Sequence, residues 1–196
     1  MTDQLQEIRR SFASYKNGVI SESMRQKGIV YHVNWGVSLT DLQQLATHYT
    51  PSLSLALKLW HDDVRECKIM ALLLMPPAEV DGEVMQELID GITTQELAEL
   101  AAFLLLQHVP QSVHQALRCL AQDNRWVQLA GLHTMTRLLR QRQQLTIAQQ
   151  HELRDQAECL LQTTDNLPIS IRKAASNCLA ELDENTPQPE RKEMPK

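Results

Sequence analysis

A short helical motif recurs four times in this chain, roughly every 30 to 45 residues. In each copy an aliphatic or small residue precedes a polar residue, and Met or Leu lies four positions after the last residue of the copy, which is Ala or Gly. In three of the four copies the last two residues are both small. The copies lie at 67–71, 98–102, 127–131 and 171–175. Small residues on an apolar helix face allow a neighbouring helix to approach closely, and repetition at this interval is typical of stacked helical solenoids. The motif therefore predicts an α-α superhelix, an architecture that binds partners along a concave surface.

The composition favours the all-α class. Only six of the 196 residues are glycine, 43% are hydrophobic, and Leu, Ala, Gln and Glu are abundant. This length and hydrophobic content predict one domain over residues 1–182 with a sizeable core. The remaining segment, 183–196, contains three prolines and mixed charges and is predicted to be a disordered tail.

Hydrophobic periodicity, caps and prolines predict helices over most of the chain. The predicted helices cover 4–16, 21–26, 52–60, 63–74, 81–90, 94–107, 111–121, 124–142, 146–162 and 168–182. Ser38 or Thr40 is expected to cap one more helix, which ends near residue 48. Segment 31–37 is predicted to be extended, with a turn at Gly36.

Neither a leader sequence nor a membrane span is predicted. The first ten residues lack the apolar core of a signal peptide, and runs such as 69–75 and 100–106 are too short to cross a bilayer. The four cysteines are widely spaced without a C-x-x-C pair, so we interpret them as buried thiols in a reducing compartment. We expect a soluble cytoplasmic protein that makes no membrane contact.

Charge is distributed unevenly along the sequence. No Lys or Arg occurs between Ile69 and Leu117, where seven acidic residues lie, whereas Arg137, Arg140 and Arg142 form the densest basic cluster. Nucleic-acid binding takes most of its affinity from cations that neutralise phosphates, so the acidic block argues against a duplex that crosses it. DNA contacts from the flanking basic residues remain open, because net charge averages over the faces of a protein.

The polar residue of each motif copy is the first candidate for a binding surface. These residues are Lys68, Glu99, Gln128 and Arg172. Their common motif position predicts that they point to one side of the solenoid. Two interpretations stay open, since this side is either the concave binding face or a solvated helix rim.

Several stretches in order resemble the AlkD-type family of DNA alkylation-repair proteins. They are Gly36 to Leu42, Leu59-Trp60, 65–74, 124–128 with its Asn-Arg-Trp-Val-Gln sequence, and 171–174. The similarity extends over about 28–182. The resemblance implies a superhelix of HEAT-like repeats and, for active members, a DNA glycosylase that releases N3- or N7-alkylated purines.

The family's active-site pattern is only partly present. The resemblance places Gln95 where the family has a Trp, Glu99 where it has the catalytic Asp, Leu129 where it has a phosphate-binding Arg, and Asn177 where it has a second aromatic. A carboxylate beside the sugar stabilises an oxocarbenium-like transition state, and Glu99 is thus the candidate catalytic residue. The candidate binding residues are Lys68, Gln95, Gln128, Arg172, Lys173 and Asn177.

Three functions therefore remain. The first is a binding module for a protein or a nucleic acid that lacks glycosylase activity. The second is a divergent glycosylase that uses Glu99. The third is a DNA binder without excision that uses basic residues of the flanks: Arg137, Arg140, Arg142, Arg172 and Lys173.

The scattered histidines, such as His108 and His114, lack metal-ligand spacing, so we expect neither a metal nor a cofactor. Trp126 is interpreted as a packing anchor.

Overall fold

Helices make up most of the computed structural model, which describes residues 2–163 and 166–185. The helices are α1 (Thr2–Ser11), α2 (Gly18–Gln26), α3 (Leu39–Ala46), α4 (Leu53–Trp60), α5 (Arg65–Leu74), α6 (Gly82–Gly91), α7 (Gln95–Leu104), α8 (Ser112–Leu120), α9 (Arg125–Arg140), α10 (Ile147–Gln162) and α11 (Ile169–Asn185). Short 3-10 turns lie at Phe12–Tyr15, Pro77–Glu79 and Leu106–His108. Within the described ranges the only β-type pairing is a bridge between Val33 and Val64. The predicted all-α class is confirmed.

Side-chain caps define where several helices begin. The Ser38 hydroxyl accepts the N–H of Asp41, and the Thr94 hydroxyl accepts the N–H of Leu97. Thr146 and Gln149 cap α10 reciprocally, each side chain bonding the backbone N–H of the other residue. Such caps satisfy N–H groups that have no partner within the helix, so local sequence is sufficient to fix these boundaries.

The helices pack in two layers. Helices α3, α5, α7, α9 and α11 lie side by side and form the motif layer, which carries all four motif copies. Helices α4, α8 and α10 pack against α5, α9 and α11 and form the second layer, in which α6 lies between α4 and α8. Helix α6 is held between its neighbours, since the Trp60 indole N–H donates to the Glu87 carbonyl and Arg118 donates to Gln86.

The small residues of the motif lie where the layers meet. An added Cβ at Gly131 would lie 2.8 Å from the Ala116 carbonyl oxygen and 3.0 Å from the Cys119 Cβ. Ala98 and Ala175 in other copies are fully buried. Close approach of helices thus explains the motif's small residues.

A buried polar cluster attaches segment 31–37 to the motif layer. The Arg65 guanidinium donates to both Glu96 carboxylate oxygens, at 2.9 and 2.6 Å, and to the Val37 carbonyl at 2.9 Å. Glu66, which is fully buried, accepts the backbone N–H groups of Val37 and Trp35. The Tyr31 hydroxyl donates to Glu96 at 2.8 Å. The extended segment is therefore fixed across α5 and α7.

Helix α11 extends beyond the end predicted for it. It continues to Asn185, so residues 183–185 of the predicted tail are helical. Three arginines stabilise this last turn: Arg140 of α9 contacts Glu181, Arg154 of α10 contacts Asp183, and Arg142, in the connection between α9 and α10, donates to Asn185. The rest of the predicted tail, 186–196, lies outside the described residues.

Three cysteines are buried, namely Cys67, Cys119 and Cys178, as predicted, whereas Cys159 is exposed. Among the described helices, none has the length and apolarity that crossing a membrane requires.

Candidate nucleic-acid interface

Three of the four polar motif residues are engaged within their own helix pair. The Lys68 ammonium donates to the Trp60 carbonyl at 2.7 Å, the Gln128 amide to the Gln122 carbonyl at 2.6 Å, and Arg172 to the Leu161 carbonyl at 3.3 Å. Each acceptor lies in or just after the last turn of the preceding second-layer helix, where carbonyls lack partners within the helix. These contacts give the three residues a structural role, and their predicted role in ligand binding stays a prediction.

Glu99 differs from the other three residues because a carboxylate has no proton to donate to a carbonyl. It is exposed on α7 and accepts a 2.8 Å hydrogen bond from the Gln95 amide, one helical turn earlier. His133 on α9 lies close enough to Glu99 for the two groups to interact electrostatically. Burial lowers the pKa of His133, the charge of Glu99 raises it, and the charge of Arg137 lowers it. The two candidate residues Gln95 and Glu99 thus lie together, opposite α9.

An aromatic residue continues this row by one more turn of α7. The Arg137 guanidinium lies over the Phe103 ring, 4.6 Å from its centroid. We call the row formed by Gln95, Glu99 and Phe103 on α7, with His133 and Arg137 on α9, the α7–α9 seam. Sequence reasoning missed Phe103 and His133, although spacing of four residues from Glu99 and from Arg137 could have identified them.

The remaining candidates lie on α11 and in the core. Lys173 and Asn177 are exposed on α11, and the Lys173 side chain forms no hydrogen bond or ion pair with the described part of the chain. Leu129, at the family's arginine position, is fully buried. The structure therefore brings Gln95 and Glu99 together, whereas no hydrogen bond between described residues joins Asn177 to them.

The acidic block divides between the two layers. Five of its residues lie on α6 or on the turn before it, in the second layer: Glu79, Asp81, Glu83, Glu87 and Asp90. Glu96 is paired with Arg65, which leaves Glu99 as the acid of this block that belongs to the seam. The sequence-based objection to DNA therefore applies to the second layer and not to the open face of the motif layer.

Basic residues occupy the C-terminal half of the motif layer. Arg137 is only half-buried, and burial together with the charge of Arg140 lowers its pKa. Arg140 contacts Glu181 but keeps a 62% exposed side chain. With Lys173, these residues provide cations that phosphates of DNA can reach.

The model of the DNA alkylation repair enzyme family matches residues 8–192. This chain belongs to the DNA alkylation repair family. Curated proteins provide no match.

One solved structure is similar to this DNA alkylation repair family member. It represents a new family of proteins related to the HEAT-like repeat DNA glycosylases with affinity for branched DNA structures. It superposes with a TM-score of 0.76 over 91% of this chain and 75% of its own, at 15% identity. The predicted superhelix of HEAT-like repeats is confirmed. Within the described residues, no group of three or more His, Cys, Asp or Glu side chains is placed to hold a metal ion.

Proposed function

We propose that this DNA alkylation repair family member binds DNA, and branched DNA in particular, along the open face of the motif layer without excising bases. The observation that carries the proposal is the separation of charge. Most of the acidic block lies in the second layer, whereas Arg137, Arg140 and Lys173 lie in the motif layer. The relative with affinity for branched DNA shares this fold and supports the choice of ligand.

The absence of excision follows from the surroundings of Glu99. An excising carboxylate needs a water-excluded position beside the sugar, with aromatic faces that hold the lesion. Glu99 is exposed, and its neighbour Gln95 supplies an amide instead of a ring. The aromatic residue next along the seam, Phe103, already has Arg137 over its ring. These surroundings support a Glu99 carboxylate that is not activated for excision.

Binding is tested by fluorescence anisotropy with duplex, three-way and four-way DNA over a range of salt concentrations. We expect affinity for all three, tightest for the branched forms, and a steep decrease with salt. Lys173→Gln should lower the magnitude of the salt slope by about 1, because it removes one phosphate contact. Lys58→Gln is the matched control, since Lys58 is an exposed lysine of the second layer. Equal effects of the two substitutions would contradict binding along the motif layer.

Excision is tested in parallel by the release of 7-methylguanine and 3-methyladenine from methylated duplex. We expect no release above the protein-free background. Release that disappears in Glu99→Gln, with an unchanged circular dichroism spectrum, would instead establish an active glycosylase. If the protein neither binds DNA nor releases bases, a protein partner becomes the ligand to search for.

A further inference from the structure

A cavity of about 330 Å³ lies at one end of the α7–α9 seam. It is enclosed by the segment that follows α2 and by the N-terminal ends of α7 and α9. Its lining includes Lys27, Ile29, Val30, Thr93, Gln95 and Trp126. Small-molecule sites have volumes of about 300–1,000 Å³, so the cavity has the size of a site for one small group.

The side chains that line the cavity combine aromatic, polar and cationic chemistry. Trp126 is only partly buried, although it packs against the core. Gln95 lines the cavity, and because its amide N–H donates to Glu99, its carbonyl oxygen remains a hydrogen-bond acceptor. Thr93 is exposed and supplies a hydroxyl. This set matches a nucleobase, which offers a ring for stacking and polar edges for hydrogen bonds.

The electrostatics of the cavity favour a phosphate. Lys27 is exposed and forms no side-chain hydrogen bond or ion pair within residues 2–163 and 166–185. None of the lining residues is acidic. The cavity also lies at the start of two helices, where the helix dipoles contribute partial positive charge.

The buried polar cluster around Arg65 and Glu96 fixes the wall of the cavity that carries Lys27. Tyr31 is bonded to Glu96 and Thr94, so the segment after α2 is tied to the first turn of α7. Gly28, which also lines the cavity, follows the C-cap of α2 with φ of +79°, the left-handed conformation in which helices commonly terminate. The site is therefore formed by elements whose relative positions are set before any ligand binds.

We propose that this cavity receives one unpaired nucleotide of a branched DNA, with its base against Trp126 and its phosphate near Lys27. The inference rests on the proposed DNA binding and deepens it, because it explains a preference for branched over continuous duplex. A branch point offers nucleotides that are already unpaired, so their bases enter a pocket without the cost of breaking a base pair.

The test uses a three-way junction that carries one unpaired 2-aminopurine at the branch point, compared with the same junction fully paired. Affinity is measured by anisotropy, and insertion by 2-aminopurine fluorescence, which falls when the base stacks. We expect tighter binding of the unpaired junction and a fall in fluorescence. Stacking on one aromatic side chain corresponds to a preference of about 5- to 150-fold.

Three variants assign this preference to the cavity. Trp126→Leu should remove it and leave affinity for the paired junction unchanged, whereas Trp126→Phe should keep most of it. Phe103→Leu is the control, since it removes an aromatic residue of the seam outside the cavity lining and should keep the preference. If Trp126→Leu does not fold, the 2-aminopurine signal of the unmodified protein and the behaviour of Trp126→Phe decide the matter.

The two proposals fail in different ways. Absence of binding to either junction refutes DNA binding and the nucleotide site together. Equal binding of both junctions with constant 2-aminopurine fluorescence leaves DNA binding intact and refutes the nucleotide site.

Discussion

Replacing Arg65 by Met should destabilise the fold strongly, because it removes the only cation of the described buried polar cluster. Arg65 is 4% exposed and Glu66 is fully buried. In Arg65→Met, Glu66 keeps the N–H groups of Val37 and Trp35 but loses its cation. The Val37 carbonyl also loses its guanidinium donor.

The magnitude follows from the burial of the charge that is left behind. Removal of one partner of a buried ion pair costs about 3–5 kcal/mol, since an uncompensated charge remains away from water. Glu96 adds less to this cost, because its side chain is 19% exposed and it keeps the Tyr31 hydroxyl. Domains of this size lose roughly 2–4 °C in Tm per kcal/mol, which gives an expected decrease of roughly 6–20 °C.

Urea denaturation followed by circular dichroism measures the effect as a shift of the midpoint at constant slope. Arg154→Met is the matched control, since Arg154 also contacts two acidic residues but has a 39% exposed side chain. Exposed ion pairs contribute about 0–1 kcal/mol, so the control should change stability little. A loss below about 1 kcal/mol in Arg65→Met, or equal losses in the two variants, would refute this reasoning.

Three further predictions concern packing, thiol reactivity and pH. Gly131→Ala should lower the free energy of unfolding by about 1–3 kcal/mol despite the better helix propensity of Ala, because the new methyl group would lie 2.8 Å from the Ala116 carbonyl oxygen. An unchanged Tm would contradict the close packing at this position. A disulfide reagent should modify one thiol rapidly in the native protein, that of exposed Cys159, and none in Cys159→Ser. Burial raises the pKa of Cys119 to about 12 and also shields the thiols of Cys67 and Cys178 from the reagent. Rapid modification of more than one thiol would contradict this prediction. Burial lowers the pKa of His133 in the folded protein below the ordinary 6.5. Between the folded-state pKa and 6.5 the unfolded chain therefore binds more protons, so the free energy of unfolding should fall as the pH decreases below about 6.5. Urea midpoints for His133→Gln should show a smaller fall over the same pH range.

Much of the fold could be predicted from local sequence signals. The helices fall close to their predicted ranges, and Ser38 and Thr94 cap the helices that they were expected to begin. The predicted helix 94–107 differs, since α7 ends at Leu104 and a 3-10 turn at Leu106–His108 follows. Such signals act within one or two turns of the chain, which is the range over which periodicity and capping carry information.

Less of the candidate site than of the fold could be predicted from the sequence. The family resemblance selected Gln95 and Glu99 together, and the structure joins them by a hydrogen bond across one turn of α7. The polar motif residues Lys68, Gln128 and Arg172 share a position, but the carbonyl groups that they contact lie on another helix. A pattern gives the direction of a side chain relative to its own helix and leaves its partner undetermined.

The sequence by itself determined the class, the order of helices and the family of this chain, because each depends on residues close together in the sequence. Tertiary structure alone decided which layer carries the acidic block, that Arg137 covers Phe103, and that Trp126 lines a cavity with Lys27. These contacts join residues 30 to 100 positions apart along the chain. Their geometry depends on how successive helix pairs stack, and stacking is set by the fit of side chains across many helices at once.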